Sequence, residues 1–242
     1  GTELRFDALS IDTGPMPSLA ALPGATVHAL PVRPIERFIA EWPRVAGRIA
    51  APCGRFDLVV LGAGAAGVEL ALAIRHRAHV EGWSQLCITL VGSEALPLGG
   101  SPEPLRRRAA TLLLRHDIQW HGGSRATRVD AGSLCFEASP ALAFDLCLVA
   151  TGAAAPSWPS AAGLATDERG FIRVDRELRS LSHRNVFAAG DVAAYADARP
   201  KSGVYAVRAG PALSRNLRAF CEGRPLQPVV VVGLIGLWRL LA

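Results

Sequence analysis

The sequence predicts an α/β protein with a parallel sheet, and three features of the 242-residue chain support this fold class. First, a short apolar and β-branched run, residues 57–61, is followed at once by a glycine-rich turn and by helix-forming residues 68–74 without a breaker. Second, further apolar runs of strand length, at 86–91 and 145–149, alternate with helical patterns such as residues 105–116. Third, half of the residues are hydrophobic and 19% are charged, which is typical of a folded α/β protein.

The charge distribution gives no indication of a nucleic-acid partner. The net charge of +5 comes from 26 basic and 21 acidic residues, and the densest basic run is Arg106-Arg107-Arg108. This run falls in a predicted helix whose apolar stripe includes Leu105 and Leu112, so we interpret it as a solvated helix face. Nucleic-acid patches interleave basic with aromatic residues, and the aromatic residues are missing here.

The sequence also gives no indication of a metal site or a membrane span. The five cysteines form no C-x-x-C pair and no metal-ligand spacing, and the six histidines are scattered. Residues 1–5 lack the apolar core of a signal peptide, and no segment reaches the roughly 18 uninterrupted apolar residues that a span needs. These observations predict a cytoplasmic protein without a bound metal.

The glycine-rich turn at 62–67 carries the strongest functional signal. It reads G-x-G-x-x-G between a strand and a helix, which is the arrangement of dinucleotide-binding proteins. Gly62 permits the tight turn, Gly64 permits close approach of a pyrophosphate, and Gly67 lets the helix pack against the strand. Ala65, inside this turn, is a further candidate contact, and the N–H groups and dipole of the helix that follows favour phosphate. The turn predicts a dinucleotide site; the alternative is a glycine-rich turn of another kind of α/β protein.

The end of the second strand, residues 86–91, bears on the choice between NAD and NADP. In an NAD site, an acidic residue at this point hydrogen-bonds the adenosine ribose. Here Gly92 and Ser93 come first, and the acid appears only at Glu94. Glu94 is a candidate for the ribose contact, and a loop carboxylate that faces water is an equal alternative. No arginine adjoins it in the sequence to take a 2′-phosphate, which favours NAD over NADP by a small margin.

The region before the glycine-rich turn is predicted to contain a linker and one short helix. Residues 35–42 have an amphipathic helical pattern, which Pro43 is predicted to end. Pro52 and Gly54 punctuate the approach to the first strand of the dinucleotide motif, so a domain boundary is predicted near residue 50.

The pattern L-x-F-D-x5-T-G occurs twice, at 4–14 and at 142–152. Both copies are strand-like runs that end in Thr-Gly before a proline-bearing linker, which suggests two domains built on one plan. The second copy closes the fold that the glycine-rich turn opens. The corresponding opening for the first copy would lie upstream of residue 1, and we expect that it is absent.

Further features stand toward the C-terminus. An apolar run at 185–193 reads as a buried strand that ends in Gly-Asp. Residues 199–203 read R-P-K-S-G and precede a predicted helix over 204–222, which Gly223 caps. Residues 228–242 form an apolar tail, for which a strand with a helical turn, an interfacial anchor and a non-native end all remain open.

The order T-G, G-x-G-x-x-G, T-G, A-A-G-D, followed by R-P-K-S-G, resembles the two-dinucleotide-domain flavoproteins of the pyridine nucleotide oxidoreductase family. Within that family the chain is most similar to type II NADH-dehydrogenase-like members, especially those fused to selenide, water dikinase. The resemblance implies a Rossmann-like NAD(P)-binding domain over 51–155. This domain would be inserted in an incomplete FAD-binding domain made of 1–50 and 156–227, with 228–242 as a tail of uncertain nature.

The resemblance implies an FAD-dependent NAD(P)H oxidoreductase, which passes a hydride from NAD(P)H to the flavin and on to a quinone or another small acceptor. Glu69, on the first turn of its helix, would lie near the nicotinamide ribose; its alternative is a favourable carboxylate at a helix N-terminus. Asp191 would accept hydrogen bonds from the FAD ribityl chain; its alternative is the cap of a turn. Lys201, with the N–H groups of Ser202 and Gly203, would face the flavin C2 carbonyl and stabilise reduced flavin. The Thr-Gly and Gly-Asp turns supply the remaining implied cofactor contacts, at Thr13, Gly14, Thr151, Gly152 and Gly190.

The sequence departs from the family at the upstream FAD fingerprint, which we expect to be missing. We therefore expect a fragment that keeps NAD(P)H binding and lacks competent flavin catalysis alone. The alternative is a non-catalytic nucleotide-binding module or a remnant attached to another enzyme. The expected partners are a small electron acceptor and selenide, water dikinase, with a peripheral contact at the inner face of the membrane as a further alternative.

Overall fold

The computed structural model describes residues 3–17, 19, 22–51, 54–197, 201 and 203–229. The chain folds into two compact units. Residues 17–152 form the central unit, and residues 3–16 together with 153–229 form the flanking unit. The predicted boundary near residue 50 falls inside the central unit, whereas the division into functional domains remains a prediction.

Both units combine helices and strands. The α-helices of the described residues are α1 (Ala25–His28), α2 (Ile35–Ala50), α3 (Ala65–Glu81), α4 (Glu103–Arg115), α5 (Trp158–Ala161) and α6 (Gly203–Cys221), and Gly190–Val192 forms a 3₁₀ turn. The strands are β1 (Leu9–Ile11), β2 (Met16–Pro17), β3 (Leu30–Pro31), β4 (Phe56–Leu61), β5 (Leu86–Val91), β6 (Ile118–His121), β7 (Ala126–Asp130), β8 (Ser133–Phe136), β9 (Leu142–Ala143), β10 (Leu146–Val149), β11 (Ala153–Ala154), β12 (Ile172–Arg173), β13 (Val186–Ala188) and β14 (Ala193–Ala194).

A five-stranded parallel sheet organises the central unit. The strand order is β3-β10-β4-β5-β6, and every neighbouring pair runs parallel. The two longest strands pair without a break, from Phe56 opposite Leu86 to Leu61 opposite Val91. Because all strands are parallel, their carboxyl ends lie along one edge, where the glycine-rich turn follows β4. The predicted α/β class with a parallel sheet is confirmed.

Alternate residues of β4 enter two separate hydrophobic cores. Leu58 and Val60 face the side that helices α2, α3 and α4 cover. Val59 and Leu61 face the opposite side, where the antiparallel strands β7, β8 and β9 contribute buried residues such as Leu134. Because both faces are covered, the strand reads as a continuous apolar run rather than as an alternating one.

Helix α2 continues through Pro43 to Ala50, so the predicted end at Pro43 is wrong. A proline inside a helix removes the N–H that would bond the carbonyl four residues earlier. That carbonyl belongs to Ile39, which is 62% exposed and therefore open to water. Val45 and Ile49 are 1% and 0% exposed and anchor the following turns in the core. This packing outweighs the local cost of the proline.

Short strands and side-chain hydrogen bonds hold the flanking unit. Strand β1 pairs in parallel with β13, and β12 pairs in parallel with β14. Helix α6 packs against β13 and the 3₁₀ turn. Asn216 of α6 is 1% exposed and donates to the carbonyls of Glu177 and Gln227 at 2.8 Å each. It also accepts the Gln227 N–H at 3.0 Å, which fixes the segment after the helix.

The C-terminal end of α6 agrees with the predicted cap. Gly223 follows with a positive φ of 67°, and the Arg224 N–H donates to the Ala219 carbonyl at 2.7 Å. The apolar tail lies outside the described residues beyond Val229. Within the residues that the structure describes, no helix is long and apolar enough to cross a membrane.

Candidate functional site

Gly62 turns the chain out of β4 in a conformation that favours glycine. Its φ is 113°, and a Cβ here would lie 2.7 Å from backbone atoms of Ala150 and Thr151. The Gly62 N–H donates to the Val91 carbonyl at 2.9 Å. The glycine-rich turn therefore lies beside the Thr-Gly turn that follows β10, and the structure brings these two predicted site segments together.

Gly67 and Gly64 have opposite surroundings. A Cβ at Gly67 would collide with the Gly62 carbonyl oxygen, so α3 approaches the turn this closely only with glycine at this position. A Cβ at Gly64 would meet nothing within 4 Å, and this residue has an extended backbone. Gly64 is the N-cap of α3, which begins at Ala65. Open space over the free N–H groups of a 17-residue helix fits a diphosphate.

Glu69 is exposed and is the fifth residue of α3, so the predicted position on the first turn is wrong. No acidic residue stands in the first turn of this helix. The effect of the helix dipole fades beyond that turn, which weakens the alternative of a favourable N-terminal carboxylate. The contact with a nicotinamide ribose remains a prediction.

The indole of Trp120 fills the space at the end of β5. A Cβ at Gly92 would lie 2.6 Å from the Cη2 atom of Trp120 and 2.8 Å from the Cβ of Ala63. A Cβ at Gly122 would collide with the same ring from its own side. The Trp120 Nε1–H donates to the Ala95 carbonyl at 3.0 Å and fixes the ring in this place.

Glu94 forms an ion pair that the sequence did not indicate. Its Oε2 accepts from Nη2 of Arg106, a residue of α4, at 2.7 Å. Arg106 also donates to the carbonyls of Leu96 and Pro97, at 2.8 and 3.2 Å. An arginine is thus beside Glu94 in space, although none adjoins it in the sequence. The ribose contact of Glu94 remains a prediction, and the structure gives its carboxylate another partner.

Two predicted turns of the flanking unit lie at one sheet edge. Because β1 and β13 are parallel, with Ile11 opposite Ala188, the segments that follow them leave at the same end. Thr13 and Gly14 follow β1, and Gly190 and Asp191 follow β13. The structure therefore brings these four predicted residues to one edge.

Gly190 allows helix α6 to pack close to the 3₁₀ turn. Its φ is 71°, and a Cβ here would lie 3.2 Å from the Cβ of Ala206. The Gly190 N–H donates to the Tyr195 hydroxyl at 3.0 Å. The Gly-Asp turn is thus held by a helix and by a tyrosine that the motif did not include.

Lys201 is the single lysine of the chain, and it is half-buried in the flanking unit. Its Nζ lies 4.0 Å from the centroid of the Phe171 ring and donates to the Ala193 carbonyl. Burial lowers the pKa of Lys201, the charges of Asp167 and Asp191 oppose this shift, and Arg169 adds to it. The structure therefore places Asp191 close enough to Lys201, another predicted site residue, for its charge to act on the ammonium.

Two predicted site residues remain, Gly203 and Ser202. Gly203 is the exposed first residue of α6, and Ser202 lies outside the described residues. Across the described ranges, no group of three or more His, Cys, Asp or Glu residues is placed to hold a metal ion. No local motif marks Trp120, Phe171 or Tyr195. Arg106, which the sequence placed on a solvated helix face, is only 20% exposed and pairs with Glu94.

A strand, a glycine-rich turn and an open helix N-terminus at the carboxyl edge of a parallel sheet are typical of dinucleotide-binding α/β proteins. The chain belongs to the pyridine nucleotide-disulphide oxidoreductase family, whose model matches residues 1–210.

Known proteins resemble the chain over only part of their length. Demethylphylloquinone reductase NdbB of Synechocystis is 28% identical over 236 residues, which cover 94% of this chain and 57% of the relative. The structure of NDH2 from Plasmodium falciparum in complex with NADH has a TM-score of 0.69 at 17% identity. The match covers 79% of this chain and 45% of the NDH2 chain. An FAD-dependent pyridine nucleotide-disulphide oxidoreductase from Desulfovibrio vulgaris has a TM-score of 0.71 at 23% identity. The match covers 93% of this chain and 56% of that protein. The chain thus spans about half the length of the curated relatives that it matches.

Proposed function

We propose that this chain is the nucleotide-binding part of an FAD-dependent NAD(P)H oxidoreductase. The observation that carries the proposal is the open cradle at Gly64, over the N-terminus of α3, with Gly62 and Gly67 packed too tightly for any side chain. Membership of the family supports it, as does the NADH bound to the Plasmodium protein of similar fold.

The residues of the central unit would bind and orient NAD(P)H. The N–H groups at Gly64 and Ala65 would donate to the diphosphate, where the helix dipole also favours negative charge. Thr151 and Gly152, beside the turn, would border the nicotinamide half, and the Glu69 carboxylate would accept a hydrogen bond from its ribose.

The residues of the flanking unit would hold the flavin. Asp191 would accept hydrogen bonds from the ribityl chain at the edge where Thr13 and Gly14 also lie. The Lys201 ammonium and the Gly203 N–H, at the start of α6, would stabilise negative charge on the reduced ring. When both cofactors are bound, their chemistry is a hydride transfer that oxidises NAD(P)H and reduces the flavin by two electrons.

The electron acceptor that we propose is a quinone. This part of the proposal is supported by the similarity to a protein named demethylphylloquinone reductase. The motifs A-A-G-D and R-P-K-S-G resemble those of members fused to selenide, water dikinase, so we also propose that protein as a fused or separate partner. A cytoplasmic location with a peripheral membrane contact completes this part. Sequencing the encoding DNA on both sides tests the fusion, because an adjoining kinase reading frame is required.

A calorimetric titration of the purified chain with NADH tests the central proposal. We expect a dissociation constant between about 1 µM and 1 mM, the range in which enzymes hold such substrates. The variant Gly64→Ala should bind NADH more weakly than the unmutated chain. The control is Gly47→Ala in α2, where an added Cβ also meets nothing within 4 Å, and it should bind NADH like the unmutated chain. Absence of NADH binding in a folded parent chain would refute the proposal.

The second candidate function is a non-catalytic nucleotide-binding module. It is motivated by one sequence observation: within residues 1–242 the pattern G-x-G-x-x-G occurs once, at the turn that the NAD(P)H proposal already uses. The two candidates differ in flavin retention. Tight NADH binding with no retained FAD, in the chain and in the full-length parent, supports the module. A yellow parent protein that is bleached by NADH supports the oxidoreductase.

A further inference from the structure

We propose that the nucleotide site of this chain takes NADH and NADPH with similar affinity, because the indole of Trp120 occupies the position that usually discriminates between them. The inference rests on the proposed function and concerns the adenosine end of the same site. In comparable folds, an acidic residue at the end of the second strand selects the free ribose hydroxyls, or an arginine nearby selects the 2′-phosphate.

The first residue past β5 cannot carry that acid. Any side chain at Gly92 would begin 2.6 Å from the Trp120 ring and 2.8 Å from the Cβ of Ala63. The ring cannot swing aside freely, since its Nε1–H is bonded to the Ala95 carbonyl and Gly122 lies against it. The Gly92 N–H is itself bonded to the His121 carbonyl at 3.0 Å, which fixes the strand end.

Glu94, the first acid after Gly92 in the sequence, makes its contacts within its own loop and with α4. Its carboxylate is bonded to Arg106 and lies over Gly99, where a Cβ would collide with Oε1. Its backbone carbonyl accepts the Gly123 N–H at 2.9 Å. With these partners, the carboxylate is directed to α4 and the loop.

The arginine that pairs with Glu94 is equally engaged. Arg106 is 20% exposed in its side chain and directs its Nε and Nη2 to two loop carbonyls and to Glu94. A 2′-phosphate would have to compete with a carboxylate for this guanidinium. Since the ion pair is neutral as a whole, it neither attracts nor repels the extra phosphate at longer range.

Parallel titrations of the full chain with NADH and with NADPH test the inference. We expect dissociation constants within about threefold of each other, whereas a charged hydrogen bond to one ribose form would separate them by about tenfold or more. A ratio of about tenfold or more in either direction overturns the inference and leaves the proposed function intact. Binding of neither nucleotide overturns the proposed function, and this inference with it.

The variant Glu94→Gln gives a second readout. It should leave the NADH affinity within about twofold and strengthen NADPH binding by about threefold, because Arg106 loses its charged partner. The matched control is Glu103→Gln, which removes the carboxylate paired with Arg107 on the same helix, and both affinities should stay unchanged. A loss of about tenfold in NADH affinity for Glu94→Gln would show that this carboxylate holds the ribose and would overturn the inference.

Discussion

The glycine-rich turn of the central unit differs in construction from the lysine cluster of the flanking unit, by which we mean Lys201, Phe171 and Asp167. In the turn, close backbone contacts determine which residues fit, since Gly62 and Gly67 leave no space for a side chain. In the cluster, the Lys201 ammonium lies over the Phe171 ring and feels the charge of Asp167, although Lys201 is far from both residues in the sequence. A site made of backbone is therefore encoded locally, whereas a site made of side chains depends on the tertiary fold.

The largest loss of stability is expected for Gly67→Ala, a substitution in the glycine-rich turn. The added methyl group would collide with the Gly62 carbonyl oxygen, a backbone atom that cannot rotate away. We expect a loss of about 3 kcal/mol or more in the free energy of unfolding, the upper range for overpacking a tight site. Urea denaturation followed by circular dichroism measures it. A stability equal to that of the parent chain would contradict the close approach of α3 to the turn.

The next effect concerns the flanking unit, whose short strands depend on side-chain bonds. Asn216→Ala removes two donated bonds and one accepted bond in a buried place, and it leaves the Glu177 and Gln227 carbonyls without this partner. We expect a loss of about 2 to 3 kcal/mol in the same measurement. The exposed Ser214 on the same helix supplies the control, because Ser214→Ala should change the stability by less than about 0.5 kcal/mol. Equal effects of the two variants would show that the Asn216 hydrogen bonds do not hold the segment after α6.

The same contrast explains how much the sequence could predict. The three glycines stand within six residues of one another, so their pattern predicted the strand and the turn correctly. Helix α3 begins at Ala65, ahead of the helix-forming run that the sequence marked at 68–74. Arg106 stands 12 residues from Glu94, and Trp120 stands 25 residues from the carbonyl of Ala95, so no local pattern linked them. The predicted end of the helix at Pro43 failed for a related reason. Local propensity marked the proline, and the burial of Val45 and Ile49 overrode it.

A third prediction separates binding from folding within the turn itself. Gly64→Ala places a methyl group in open space on an extended backbone, so the free energy of unfolding should stay within about 1 kcal/mol of the parent value. The same methyl group lies where a diphosphate would approach, and NADH affinity should fall by about tenfold or more. Calorimetry and urea denaturation on one sample give both values. Unchanged affinity would show that the nucleotide does not bind over this helix N-terminus.

The smallest expected effect is a shift in the pKa of Lys201, which a titration of its side chain measures. Because Lys201 is the only lysine, reductive methylation with ¹³C-labelled formaldehyde marks it together with the N-terminal amine. Its pKa should lie below the usual lysine value of about 10.4, since burial disfavours the charged form. Asp167→Asn should lower the pKa further, and Arg169→Gln should raise it, because the first removes an attraction and the second a repulsion.

The sign of the pH effect on stability follows from the same shift. A lysine whose pKa is lowered in the folded state contributes stability that is present above its unfolded pKa and is lost as the pH falls through its folded pKa. The stability of the parent should therefore rise, relative to Lys201→Met, as the pH increases through the folded pKa. Lys201→Arg is the control, since guanidinium keeps its proton over this range and its difference from Lys201→Met should stay flat. A Lys201 signal that titrates at the usual value or above it would mean that burial does not dominate at this ammonium, which would contradict the lowered pKa.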